Sequence, residues 1–68
     1  MTKYVVAWYE YNNDTLHQEI IEANDPVSAL VTAVGEYMLP YTDKDMTLEE
    51  LKIALRDEQD VLVEVIVH

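Results

Sequence analysis

Residues 3–14 read KYVVAWYEYNND. In extended form, successive side chains point to opposite sides. Tyr4, Val6 and Trp8 then share one side, and Val5, Ala7, Tyr9 and Tyr11 the other. Val, Tyr and Trp favour strands, and the Asn12-Asn13-Asp14 run is turn chemistry, because Asn and Asp tolerate positive φ. The strand is therefore apolar on both sides, and both sides need cover. TLHQEIIEA, residues 15–23, mixes polar and apolar residues at strand spacing, so residues 3–11 and 15–23 read as a β-hairpin.

Working outward, NDPVSALVTAVGEYMLP carries helix signals at both ends. Asp25 caps the first turn, and Pro26 fits the first helical position, where no amide donor is needed. Val27, Leu30, Ala33, Val34, Tyr37 and Met38 recur at helical spacing on one face, and Pro40 stops the run. Gly35 inside this helix reads as a place of close approach. MTLEEL is the most specific local signal: Thr47 and Glu50 form an S/T-x-x-E capping box, with Met46 and Leu51 as its hydrophobic staple. A second helix is predicted over residues 48–58, with Leu48, Leu51, Ala54 and Leu55 as its apolar stripe and Glu49, Lys52, Arg56 and Asp57 outside.

DVLVEVIVH closes the chain as a strand. Val61, Val63, Val65 and Val67 form one apolar row, and Leu62, Glu64, Ile66 and His68 the other. The order is ββααβ, an α+β single domain over residues 1–68. A three-stranded antiparallel sheet in order 2-1-3, with two helices on one face, satisfies it. The expected inner face holds Val5, Ala7, Tyr9, Ile21, Ala23 and the four valines, the small Ala7 and Ala23 admitting the helices. The expected outer face holds Tyr4, Val6, Trp8, Glu10, Leu16, Gln18, Ile20, Glu22, Leu62, Glu64 and Ile66. The phase of the second strand stays open, since Ile20 and Ile21 point opposite ways, and a one-residue slip would exchange its faces.

Composition narrows the function. Fourteen acidic residues against four basic ones give a net charge of −10, which repels nucleic acid and anionic membranes. With no Cys there is neither a disulfide nor a thiolate metal site. Half of the residues are hydrophobic and one is Gly, so the charge belongs to a folded domain rather than a disordered chain. Lys3 leads into a mixed aromatic strand, not the apolar core of a signal peptide, and no stretch approaches the roughly 20 apolar residues of a membrane span. The expected location is the cytoplasm.

Catalytic chemistry finds little footing in the sequence. Ser28 lies in a helix first turn, where capping explains it. His17 has no partner carboxylate or second ligand fixed by spacing. The carboxylate pairs Glu49/Glu50, Asp57/Glu58 and Asp43/Asp45 are chain neighbours, not groups set across a cleft. TDKD lacks the glycine of a calcium loop, since Leu48 stands at that place. No enzyme activity, cofactor or metal is expected. The expected working surface is the outer sheet face, with Tyr4, Val6, Trp8, Ile20, Leu62 and Ile66 as its apolar interface. Glu10, Glu22, Glu49, Asp57 and Glu64 form its acidic surroundings.

Residues 4–38, opening YVVAWYEYNNDTLHQEIIEANDPVSALVTAV, resemble small acidic phage-encoded host-takeover proteins, among them inhibitors of host RNA polymerase. The shared plan is an aromatic strand, a polar turn, a strand ending in Ala, a short cap and an Ala-rich helix. This chain departs from it by a second capped helix before the last strand, and no functional residue carries over. The resemblance implies an inhibitor or DNA mimic that docks on a basic host protein in the host cytoplasm. The alternative from the residues is a homodimer that covers its own sheet face.

Overall fold

The computed structural model describes residues 1–41 and 44–68. Strand β1 (Thr2–Glu10) runs into β2 (Thr15–Ala23), followed by helices α1 (Pro26–Ala33) and α2 (Gly35–Met38), a 3-10 turn (Leu39–Tyr41), α3 (Leu48–Gln59) and β3 (Val61–Val67). The sheet is three-stranded, in order β2-β1-β3, and antiparallel throughout. This is the α+β arrangement read from the chain. Asp43 of the Asp43/Asp45 pair lies outside the described residues.

The helix signals act as their chemistry requires. The Asp25 carboxylate accepts from the Ser28 amide at 2.8 Å, with Pro26 at the first helical position. Thr47 Oγ1 accepts from the Glu50 amide at 3.2 Å, and Glu50 returns the bond to the Thr47 amide at 3.0 Å. Asp60 ends α3 in the left-handed region, with φ 57°. Its carbonyl then accepts the Tyr11 amide at 3.1 Å, so one residue turns the chain into β3 and anchors the hairpin loop.

The expected continuous first helix is broken. Val34 leaves helical geometry at φ −119°, ψ 39°, and α2 restarts at Gly35. The break keeps the apolar stripe on one side: Leu30, Val34 and Met38 are buried, and Val27, Ala33 and Tyr37 pack against the core. Gly35 is not a place of close approach, because a Cβ built there meets nothing within 4 Å.

The faces of β1 are the reverse of those expected. Tyr4, Val6 and Trp8 are buried, whereas Val5, Ala7 and Tyr9 are half-exposed on the open side. The reason is the length of the hairpin connection. Pairing Tyr11 with Thr15 would put odd residues of β1 opposite odd residues of β2. Instead Tyr11 leaves the ladder, and Glu10 pairs with Thr15 across a loop of Tyr11–Asp14. That loop closes with Asp14 at φ 50°. The extra loop residue moves every β1 side chain to the other face. Ile21 and Ala23 then bring Tyr4 inward, and Val61 and Val63 sit beside Glu10 and Trp8. Ala23 remains inside under the helices, while Ala7 faces out.

The core is one cluster. Val6, Leu30, Leu55, Val61 and Val63 are fully buried, joined by Trp8, Met38, Tyr41 and Leu51. Helix α1 packs across all three strands and α3 lies on β3. Val65 is half-buried and Val67 exposed, so the valine row is core only over its first half.

Three outcomes follow from these placements. Trp8→Glu should unfold the domain, seen as loss of the circular dichroism signal. Losing a buried ring alone costs about 3–5 kcal/mol, against a total stability for a small domain near the bottom of roughly 5–15 kcal/mol. Ile20→Glu, on the opposite face, should leave the fold intact. Gly35→Ala should raise stability by about 0.4–1 kcal/mol in denaturant titration, since its φ is not positive and the new methyl group meets open space.

Candidate functional site

Two features stand out beyond the core, a face and a cleft. The face is the open side of the sheet. Its register builds rungs across all three strands. Ile20, Val5 and Ile66 form one, and Leu16, Tyr9 and Leu62 another. Between them lies the rung of Gln18, Ala7 and Glu64. At about 3.3 Å per residue the two apolar rungs stand about 13 Å apart. Leu16 is 71% exposed, Ile66 60% and Ile20 57%, so their apolar surface meets solvent.

Of the residues expected at an interface, Ile20, Leu62 and Ile66 come together on this face. Tyr4, Val6 and Trp8 do not, because the hairpin register turns them into the core. Val5, Ala7, Tyr9 and Leu16 complete the face. Of the acidic residues, Glu22 and Glu64 project on the open side, next to Lys3 and Ala7 respectively. Glu64 is bridged by Lys52 at 3.2 Å. Glu49 and Asp57 lie exposed on α3, each beside a basic neighbour, Lys52 at 3.8 Å and Arg56 at 3.2 Å.

Glu10 is not on the open face. It points inward at the loop end of the sheet, where it lines a cleft of about 300 Å³ between the hairpin and the α1–α2 break. Trp8 and His17 form the sheet wall of the cleft, and Val34, Gly35, Glu36 and Tyr37 the helical wall. One Glu10 oxygen contacts His17 Nε2 at 2.6 Å, and the other accepts the Tyr37 hydroxyl. The imidazole lies flat on the Trp8 indole, with centroids 5.0 Å apart and planes 19° apart.

His17 therefore has the carboxylate that spacing alone did not supply. Seven positions separate Glu10 from His17 in the chain. The hairpin register puts His17 opposite Trp8, and Glu10 is then its diagonal neighbour on the same face. A reading that ended β1 at Glu10 would have found this pair. Tyr37 comes from the helix break, and no local spacing announces it.

The electrostatics of the group follow from its bonds. The Tyr37 hydroxyl, and after it His17, hold Glu10 below the usual carboxylate range, with partial burial opposing them. The same bond, with burial, raises Tyr37 above its ordinary 10.0. Both shifts move the groups away from neutrality, opposite to the tuning that proton-transfer catalysis uses. Among the described residues no Ser, Cys, Thr or Lys lines the cleft as a nucleophile.

A smaller apolar cleft of about 200 Å³ lies between α1 and the start of α3, with Val27, Val31, Met38, Tyr41, Lys44 and Met46 among its lining residues. Among the described residues no group of three or more His, Cys, Asp or Glu could hold a metal ion. None of their helices is long and apolar enough to cross a membrane. No protein-family model, curated protein or solved structure matches the chain.

The Glu10–Tyr37 bond should appear in the pH dependence of stability. Glu10 is lowered when folded, so its contribution is full above its ordinary value of 4.5 and fades as pH falls through the folded value. Tyr37 is raised, so its contribution is full below 10.0 and fades as pH climbs through the folded value. Tyr37→Phe should therefore be less stable than the parent at pH 7. The gap should narrow toward both acid and alkali, as measured by thermal unfolding across pH.

Proposed function

We propose that this protein is a small non-enzymatic binding protein that docks, through the open face of its sheet, on a protein bearing basic residues around an apolar patch. The observation that carries the reading is the pair of exposed apolar rungs, Ile20–Val5–Ile66 and Leu16–Tyr9–Leu62. A small domain gains little from leaving Leu16, Ile20, Leu62 and Ile66 exposed, with Val5 and Tyr9 half-exposed between them, unless something covers them. Charge selects among the coverings. At −10 the chain is steered toward a basic surface, and a second copy would press two strongly acidic chains together. Inhibition of a nucleic-acid-binding host protein, with carboxylates in the place of phosphates, is the narrower form of this reading. The acidic excess and the hairpin–helix plan support it.

The experiment is light scattering on a size-exclusion column across a dilution series, followed by capture of binding proteins and their identification by mass spectrometry. The expected result is a monomer that captures a basic protein, releases it as salt rises, and loses it in the folded double variant Ile20→Glu, Leu62→Glu. A dimer that persists on dilution and dissociates in that variant would overturn the reading in favour of a self-covered face. Capture that survives the double variant would overturn the assignment of the face.

A further inference from the structure

The cleft between the hairpin and α1–α2 has a chemistry distinct from that of the open face. Among the described residues that line it, the carboxylates are Glu10 and Glu36, and there is no Lys or Arg. The ion pairs of Lys52 and Arg56 are made elsewhere, on Glu49, Glu64 and Asp57, and Lys44 sits over the Tyr41 ring at 5.9 Å. Glu10 is fixed in place, because Tyr37 and His17 each hold one of its oxygens. A carboxylate oxygen has two lone pairs, so each Glu10 oxygen keeps one for a further donor. Trp8 and Tyr37 supply aromatic walls.

We propose that this cleft is a receptor for one arginine side chain of a binding partner, its guanidinium held by Glu10 and Glu36 and flanked by the Trp8 and Tyr37 rings. The geometry favours arginine over lysine for two reasons. A planar fork of N–H donors matches two oxygens of one carboxylate, whereas an ammonium is a point charge. A guanidinium also stacks on aromatic faces and sheds its water more readily than an ammonium does. The negative field of the whole chain concentrates cations at the cleft mouth. The volume of about 300 Å³ is at the small end of the range for ligand pockets, in keeping with a single side chain. The cleft is formed on the helix-covered side of the sheet, so the inference stands apart from the open-face reading.

The test is titration of the whole protein with N-acetyl-arginine amide at constant ionic strength. The readout is the indole N–H of Trp8, the chain's one tryptophan, by nuclear magnetic resonance. Parallel titrations use N-acetyl-lysine amide and sodium chloride. A saturable shift with a Kd of roughly 1 mM or tighter is expected for the arginine probe, several-fold weaker for lysine and absent for salt. Glu10→Gln should weaken the arginine probe about tenfold, the worth of a charge-assisted hydrogen bond. If that variant does not fold, Glu36→Gln, altered at an exposed position, should still weaken it. Leu62→Gln, on the open face, should bind the probe as the parent does. A shift that never saturates would overturn the assignment. So would equal response to arginine and lysine, or binding unchanged in the folded carboxylate variants. Loss of probe binding in Leu62→Gln would also overturn it, by locating the site on the open face.

Discussion

A central strand that is apolar on both sides can bury only one of them when all the helices lie on the same face of the sheet. In this protein the hairpin loop makes the choice. With Tyr11 taken out of the ladder and bonded to the Asp60 carbonyl, Glu10 pairs with Thr15, and the Tyr4–Val6–Trp8 side of β1 turns toward the helices. The inner rungs then become Trp8 with His17 and Val63, and Glu10 with Thr15 and Val61. The buried tryptophan, the inward glutamate and the outward tyrosine all depend on this one register.

The remainder of the fold supports that choice with local devices. A chain of 68 residues buries only about 60% of the surface its unfolded form exposes, so each helix end matters. Asp25 and Thr47 satisfy amides that would otherwise lack partners. Asp60 takes the left-handed conformation that ends α3 one residue before β3 begins. The break at Val34 lets the chain keep Leu30, Val34 and Met38 on the core while turning toward the 3-10 segment. It also brings Tyr37 to Glu10. A discontinuity in a helix thus creates the polar cluster that lines the larger cleft.

The surface divides into two kinds of place. The open sheet face offers exposed apolar rungs with a polar rung between them, suited to a large, mostly dry contact. The cleft offers a held carboxylate, a second carboxylate and aromatic walls, suited to a single cationic group. Both accord with the proposed partner, one that is basic and has an apolar patch. The pKa directions at Glu10 and Tyr37 agree with a structural and electrostatic role, because each group is held more firmly in the protonation state it already has at neutral pH.

Much of this was legible in the residues themselves, and for local reasons. The capping box at Thr47 and Glu50, the Asp25-Pro26 start and the strand character of residues 61–67 are set by neighbours within a few positions. The ββααβ order follows from them. The sheet order 2-1-3 is the expected one, but the residues leave open whether the last strand pairs with the first or the second, and the tertiary structure decides for the first. The inward row of Val61 and Val63 was legible too, because its alternate residues include Glu64. The faces of β1 were not, because Tyr4, Val6 and Trp8 are matched in apolar character by Val5, Ala7 and Tyr9. Periodicity cannot separate two sides that look alike. That decision belonged to loop length and to the strands on either side, which is tertiary information. The same holds for the cleft: Glu10, His17 and Tyr37 are unremarkable singly, and only the register and the helix break bring them within bonding distance.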